Sequence, residues 1–284
     1  MGNLILTDEE KMLSARTADL IQRSEKENVA VFCDFLSDRE KAVVLEKVNE
    51  FGMSERVIFF GGYDDAERVL AGFFPEYSIY MDKEELLREF PIEALKIECS
   101  GFRTHTHRDF LGSILALGID RSVIGDIAVG EKGYEAVCFV HKRMAEFISE
   151  NLTLVGRDGV KVSVCSPENI AVSVMYEEIS GTVSALRIDA LLSEILNISR
   201  DKATKLVESE CVSVNHCVVT EKSHTVSVDD IITVRGFGKY KLSNVGDVNR
   251  KGRTRFIVQK YVKRSIKQPY AVEQSQAAEK REYA

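Results

Sequence analysis

The stretch that decides the fold reads Arg187-Ile188-Asp189-Ala190-Leu191-Leu192, then Ile198-Ser199-Arg200-Asp201-Lys202-Ala203, then Val212-Ser213-Val214-Asn215. It closes on Asp229-Asp230-Ile231-Ile232-Thr233-Val234-Arg235-Gly236-Phe237-Gly238-Lys239. Ile188, Leu191, Leu192 and Ile195 recur at helical spacing, and Asn197 breaks the pattern. Ser199 is placed to N-cap a second helix, its hydroxyl accepting from the first free backbone amides. Ala203, Leu206 and Val207 give that helix one apolar face. Cys211 to Asn215 alternates as a strand does, and Val226, Val228, Ile231 and Val234 supply further strand-type residues. Arg253 to Val262 reads as a last strand, with Asn249 to Gly252 as a basic hairpin tip before it. A helical pair leading into short strands, with cations at the element ends, suits a small module that grips structured RNA and performs no chemistry.

Charge sharpens this reading. The chain has 284 residues, 38 Lys and Arg against 45 Asp and Glu, and a net charge of -7; its pI is near 5.5. Between Arg187 and Lys267 the balance reverses: 16 Lys and Arg face 9 Asp and Glu, a net of +7 that leaves -14 on the remainder. Such asymmetry is a local electrostatic footprint for phosphates. Neutralising phosphates releases counterions, so binding is expected to weaken steeply with salt. The alternative for any basic run is a solvated face.

The same segment resembles the S-four RNA-binding domain, named for small-subunit ribosomal protein four, from Arg187 to Lys241. The resemblance implies that Arg187, Ser199, Arg200, Lys202 and Lys205 lie on or near an RNA-facing helical surface. It implies that Asn215, Arg235 and Lys239 lie in or beside the following turns. Arg250, Lys251 and Arg253 at the basic tip complete the candidate RNA-binding set. The family usually has Gly where this chain has Glu210, His216 and Asp229, and Glu210 brings a negative charge close to the expected surface.

A chain of this length accommodates two or three domains. It has no apolar run of membrane length and no charged-then-apolar signal segment at its start, so no membrane span and a cytoplasmic location are expected. Cys33, Cys99, Cys138, Cys165, Cys211 and Cys217 form no Cys-x-x-Cys pair, and most sit in apolar runs where cysteine acts as a small hydrophobe. Cys211, His216 and Cys217 have the wrong spacing for the common zinc motifs. No metal and no cofactor are expected.

Residues 92–165 read as β-α-β-β-α-β, the ferredoxin-like order used by RNA-recognition motifs. Ile92 to Cys99 is a strand. Thr106-His107-Arg108-Asp109 is a capping box with Asp in place of Glu, leading a helix through Phe110, Leu111, Ile114, Leu115 and Leu117 to a stop at Gly118. Ile124 to Val129 and Tyr134 to Val140 form a hairpin, His141 to Asn151 a helix, and Val160 to Cys165 a strand. Lys132-Gly133-Tyr134-Glu135-Ala136-Val137-Cys138-Phe139 partly matches the aromatic motif of such domains. Tyr134 takes one base-stacking position and Ala136 stands where a second aromatic is expected. Either the base platform is weakened, or Tyr134 and Phe139 are ordinary sheet residues. His105, His107, Arg108 and Asp109 invite a catalytic or metal reading. No distant carboxylate or histidine cluster offers itself as a partner, and a helix start accounts for Thr106 and Asp109. Arg108 and Tyr134 remain secondary candidates for RNA contact.

Residues 1–88 read as a smaller α/β unit: a strand from Val29 to Leu36, a helix from Asp38 to Phe51, a strand from Val57 to Phe60, and a helix beginning near Asp64 after the turn Gly61-Gly62-Tyr63. That turn lacks the Gly-x-Gly-x-x-Gly and P-loop patterns, so a plain turn is expected over a phosphate cradle. The polar tail from Gln268 to Ala284 is expected to be frayed. The fold class is therefore α+β and multidomain: an N-terminal α/β domain (1–88), an RRM-like domain (89–180), an S-four-type domain (181–267) and a tail (268–284).

Phe35-Leu36-Ser37-Asp38-Arg39-Glu40, Gly61-Gly62-Tyr63-Asp64-Asp65-Ala66-Glu67-Arg68, His107-Arg108-Asp109-Phe110-Leu111-Gly112, Leu117-Gly118-Ile119 and Ile124-Gly125-Asp126-Ile127, in that order before the S-four segment, resemble the YlmH family of bacterial S-four proteins. The resemblance spans the chain up to the tail. It implies an RNA-binding protein of the translation apparatus whose partners are ribosomal RNA or tRNA and the large ribosomal subunit, in rescue of stalled nascent chains. A link to cell division has also been proposed for the family. The rivals are an RNA-modifying enzyme or its targeting subunit, and an interaction scaffold using the acidic half. Against an enzyme, Arg187-Ile188-Asp189 lies inside the small module rather than in a catalytic domain following it. No Gly-rich methyltransferase loop follows a strand, and the two nucleotide-binding signatures of a tyrosyl-tRNA synthetase are absent. The sequence leaves the oligomeric state open.

Overall fold

The computed structural model describes residues 6–215 and 217–266; His216 and the expected tail, 268–284, lie outside them. In chain order the elements are α1 (Asp8–Glu27), β1 (Val31–Phe32), α2 (Asp38–Glu50), β2 (Val57–Phe60), β3 (Leu70–Phe73), α3 (Lys83–Arg88) and β4 (Ile92–Cys99). Then come α4 (His107–Leu115), β5 (Ile124–Val129), β6 (Glu135–His141), α5 (Lys142–Asn151), β7 (Leu154–Val155), β8 (Asp158–Cys165) and β9 (Val172–Val183). The chain continues with α6 (Ile188–Ile195), α7 (Arg200–Glu208), β10 (Val212–Val214), β11 (Cys217–Val218), β12 (Ile231–Val234), β13 (Gly238–Val248) and β14 (Thr254–Ile266). No described helix is long and apolar enough to cross a membrane.

The described residues form two compact units. One comprises 6–22, 37–54 and 174–263; the other comprises Arg23–Leu36, Glu55–Ser173 and 264–266. The expected N-terminal piece, 1–88, is thus shared between them. Local sequence patterns fix elements, but the grouping of elements is decided by which apolar faces meet.

In the second unit a sheet runs in the order β5-β6-β4-β8-β7, each neighbour antiparallel. On one face Leu95 and Ile97 of β4 and Ala136, Cys138 and Val140 of β6 pack with Phe110 and Ile114 of α4 and Ala145 and Ile148 of α5. On the other face Ala94, Val137 and Phe139 pack with Phe35, Leu70, Phe74 and Phe90. Leu70 belongs to a small sheet of order β1-β3-β2. The strand β6 is therefore buried from both sides, which is why Ala136 to Val140 is continuously apolar rather than alternating. Phe139 is fully buried and stacks obliquely on Tyr63, ring centroids 4.9 Å apart. Tyr134 precedes β6 with the side-chain parity of Ala136 and Cys138, the helix-covered face. The expected aromatic platform for bases is consequently not available on β6.

The segment 61–68 does not start a helix, which corrects the expectation at Asp64. Tyr63 Oη (2.6 Å), the Glu67 amide (2.7 Å) and the Arg68 amide (3.1 Å) all donate to the buried carboxylate of Asp126. The Arg68 guanidinium donates to the carbonyls of Ile124, Phe35 and Arg121. Amides committed to a distant carboxylate are lost to an i→i-4 ladder. Similarly, only Val31 and Phe32 of the expected strand Val29–Leu36 pair in register with β3, with an isolated bridge from Leu36 to Val69. The start of α4 was legible: Thr106 with Asp109 caps it, the Thr106 amide donating to Asp109 at 2.7 Å. The structure also shows Ser37 with Glu40 capping α2. α1 was not foreseen.

In the first unit α6 and α7 lie on a sheet of order β11-β10-β12-β13-β14-β9. Ile188, Leu191, Leu192, Ala203 and Val207 share one core with Val212, Val214, Ile232, Val234, Leu242, Phe256 and Val258. Fully burying each large aliphatic side chain there contributes about 1.5–3 kcal/mol. The last two strands form a hairpin longer than the sequence pattern indicated, of 11 and 13 residues.

Gly62 has φ +99°, and a Cβ added there would fall on the Phe139 ring. Gly118 has φ +78° with open space around it. Urea denaturation is expected to show Gly62→Ala costing about 2–4 kcal/mol, from backbone strain plus overpacking, and Gly118→Ala about 1 kcal/mol from strain alone. Equal losses would disprove the close approach of the Gly61-Gly62 turn to the sheet.

Candidate nucleic-acid interface

The chain enters α6 through Arg187, and the first turn of that helix carries Asp189, whose side chain is only 3% exposed. A carboxylate buried among Ile188, Leu191 and Leu192 needs partners. It has three. Arg187 donates through Nε and through a terminal nitrogen, both at 3.2 Å. Arg200, the first residue of α7, donates Nε at 3.0 Å, and the Ala190 amide donates at 2.9 Å. Burial alone would push the Asp189 carboxyl up. The hydrogen bonds from Arg200 and Arg187, with their charges, outweigh burial and hold it below the usual carboxylate range. Two of the sequence-predicted cations are thereby brought together on one buried anion, with the Arg187 side chain 35% and that of Arg200 53% exposed. The sequence pattern argues against Asp189 as a catalyst and does not by itself assign it this role. The signal for its structural role is an Asp inside an apolar helix face, with an Arg two residues before it and another at the next helix start.

The remaining predicted residues divide by what holds them. Ser199 is the N-cap of α7, accepting from the Lys202 amide at 3.4 Å. Lys202 and Lys205 are exposed one turn apart on α7, and Arg235, Arg250 and Lys251 are exposed in turns; none of these five has a carboxylate partner among the described residues. Asn215 is a turn lock: its side-chain nitrogen donates to Asp230 at 2.8 Å and its oxygen accepts from the Ile231 amide at 2.9 Å. Arg253 braces the hairpin, donating to the Thr182 carbonyl and, at 2.7 Å, to Glu194. Lys239 is withdrawn from the exposed set. Its ammonium lies 2.8 Å from Asp38 of α2 and 5.6 Å from the centre of the Tyr261 ring, and its side chain is 12% exposed. An internal partner from a segment two hundred residues earlier is not visible to a local motif.

Glu210 and Asp229, two of the positions where an S-four domain usually has Gly, have φ of +57° and +72°. The left-handed backbone is retained while the residue that adopts it without strain is not. The third such position, His216, and with it the Cys211-His216-Cys217 spacing, lies outside the described residues.

In the other unit the histidine cluster resolves differently from expectation. A distant carboxylate does partner it: His105 Nε2 lies 3.0 Å from Asp158 Oδ2, and both side chains are buried. The pair ties a loop to the start of β8; Asp158 also accepts from the Arg103 amide at 3.0 Å. The sequence distance of 53 residues hid it. Arg108 and Tyr134 are both exposed, Tyr134 at 38%.

A helix pair over an antiparallel sheet, with an N-cap serine, paired arginines and free cations in the turns, defines an RNA-binding module of the S-four class. Residues 186–232 match the family model described as S4 domain, and residues 87–169 match the one described as a putative RNA-binding domain in YlmH. The chain is 31% identical over 224 residues to a Bacillus subtilis (strain 168) protein named "Ribosome-associated protein quality control protein P2", covering 78% of this chain and 84% of that relative. The chain belongs to the YlmH family of S-four proteins. Among solved structures, "Cell division protein ylmH from Streptococcus pneumoniae" is 17% identical with a TM-score of 0.46, covering 58% of this chain and 96% of that one.

A carboxyl whose folded pKa is depressed stabilises the fold above its unfolded pKa, and that stability is lost as the pH falls through the folded value. Asp189→Asn is therefore expected to cost about 2 kcal/mol at neutral pH, and the gap from wild type should close as the pH drops below about 4. Chemical denaturation across that range measures it; a constant gap would refute the ionised clamp. Glu210→Gly is expected to stabilise the module by about 1 kcal/mol by removing the left-handed strain, seen as a higher melting temperature.

Proposed function

We propose that the chain is a non-enzymatic RNA-binding protein of the translation apparatus that binds structured ribosomal RNA or tRNA on the large ribosomal subunit and acts in rescue of stalled nascent chains. One observation carries the RNA surface: Lys202, Lys205, Arg235, Arg250 and Lys251 are exposed and unpaired among the described residues on an S-four module. Arg187 and Arg200 add to them at the start of the helix pair, each side chain partly exposed while it is paired with Asp189. The ribosomal part of the reading rests on the name of the Bacillus subtilis relative, and a cytoplasmic location goes with it.

A binding role without turnover is supported by the polar clusters. Thr106 with Asp109 is a helix cap, Ser199 is a helix cap, Asp126 anchors a loop, and His105 with Asp158 ties another. None of them joins a nucleophile, a base and an orienting group. The ferredoxin-like reading of residues 92–165 is supported by the β-α-β-β-α-β order of β4 to β8 and by the sheet order β5-β6-β4-β8, with β7 as an added edge. The domain limits 89–180 and 181–267 are part of the same proposal.

Charge-removing substitutions at Lys202, Lys205 and Arg235 should leave the fold intact and weaken RNA binding at every sequence alike. Each lost phosphate contact should reduce the slope of log affinity against log salt by about 1. Cosedimentation with large ribosomal subunits, and titration with structured RNA at several salt concentrations, read the effect. Undiminished cosedimentation of the triple variant would reject this surface.

A further inference from the structure

Phe35, Leu70, Phe74 and Phe90 cover the part of the sheet face around Ala94, Val137 and Phe139 in the 87–169 domain, the stretch of β6 where a base-stacking platform was expected. One end of the same sheet carries three loops: residues 100–106 after β4, 130–134 between β5 and β6, and 156–157 between β7 and β8. They are tied to each other and to the strand ends. The Cys99 amide donates to the Tyr134 carbonyl (2.8 Å), the Ser100 amide to the Gly159 carbonyl (3.0 Å), and the His105 amide to the Gly133 carbonyl (2.9 Å). His105 and Arg103 both reach Asp158. Gly133 has φ +70°, and a Cβ on it would lie 2.8 Å from the His105 carbonyl oxygen, so the first two loops are in direct backbone contact.

What these pinned loops present to solvent is of one kind. Phe102 is 85% exposed and makes no ring contact among the described residues. Arg103, Lys132 and Arg157, one from each loop, are exposed, as is Arg108 in the first turn of α4; none has a carboxylate partner among the described residues. Of the nearby carboxylates, Asp109 is engaged in the helix cap, Asp158 is buried, Glu98 is paired with Lys96 and Glu135 is half-buried at the start of β6, while Glu131 is exposed. A single exposed Phe is ordinary on a protein surface. An exposed aromatic ring among unpaired cations on loops that cannot splay apart is the arrangement that single-stranded nucleic acid requires: cations for the backbone, a free π-face for a base.

We propose that this loop end is a second RNA site that takes single-stranded RNA, with Phe102 stacking on a base and Arg103, Arg108, Lys132 and Arg157 meeting phosphates, Tyr134 lying at its margin. An acidic peptide would satisfy the cations and leave the ring unused. The proposal rests on the reading of the chain as an RNA-binding protein, and it is independent of the S-four surface.

The test uses the full chain carrying Lys202→Ala and Lys205→Ala, so that the S-four cations do not mask the second site. The probe is a labelled, unstructured RNA of about ten nucleotides. Adding Phe102→Ala is expected to lower its affinity by about fivefold to a hundredfold, the range of one lost base stack. Phe102→Tyr should retain it, and ultraviolet crosslinking should place the oligonucleotide on the 100–106 loop. Because Phe102 is exposed, the melting temperature should not move. Unchanged affinity in Phe102→Ala, no binding of the oligonucleotide, or stronger binding of polyglutamate than of RNA would each overturn the proposal. Titration of structured RNA against the otherwise unsubstituted Phe102→Ala chain separates the two readings. Normal structured-RNA binding there, with no oligonucleotide effect, defeats this site and leaves the S-four surface standing.

Discussion

A carboxylate taken out of water has to be answered by donors, and three buried aspartates impose that constraint on this chain. Asp189 gathers Arg187 and Arg200 at the start of the S-four helices. Asp126 gathers Tyr63, Glu67 and Arg68, and Asp158 gathers His105 and Arg103. For Asp126 and Asp158 the donors come largely from irregular segments, and for Asp189 from the first turns of α6 and α7 and the residue before α6. The apolar cores set the elements in place, and these anions decide where the irregular segments between them go. Removing one would expose donors and loosen a loop while leaving the sheets largely formed.

The central domain illustrates how a family description and a site can part company. In RNA-recognition motifs an antiparallel sheet with helices on one face leaves its other face for ligands. Here that face along β6 is spent on packing: Val137 and Phe139 are buried by the small β1-β3-β2 sheet and its neighbours. What remains exposed on the same face includes Lys96 and Glu98, paired with each other at 2.8 Å, a poor attraction for phosphate. The proposed contacts with nucleic acid therefore fall on helices and turns rather than on the strands.

Much of the fold was legible. The helical spacing of Ile188, Leu191, Leu192 and Ile195, the caps at Thr106 and Ser199, and the strands Ile92–Cys99 and Ile124–Val129 are local signals, and local signals survive in a single sequence. The misses share a cause. Asp126 captures amides that the pattern after Gly62 assigned to a helix; Asp158 answers His105 across 53 residues; Asp38 claims Lys239 across 201. A motif tells which side chains could meet a phosphate, but not which of them have already met an aspartate. The same limit explains Asn215 and Arg253, whose polar groups are turned inward.

The long hairpin has a consequence of scale. Arg235 lies in the turn before β13 and Arg250 in the turn after it, and β13 is 11 residues long. At about 3.3 Å per residue the strand spans roughly 35 Å. The two cationic turns are thus held apart at opposite ends of one strand, which irregularities near Leu242–Asn244 and Val245–Val248 bend along its length. A compact stem or a short fragment reaches one turn; only an RNA surface that extends that far reaches both. On the proposed reading, the length of the partner, rather than its base sequence, would decide whether both turns are engaged.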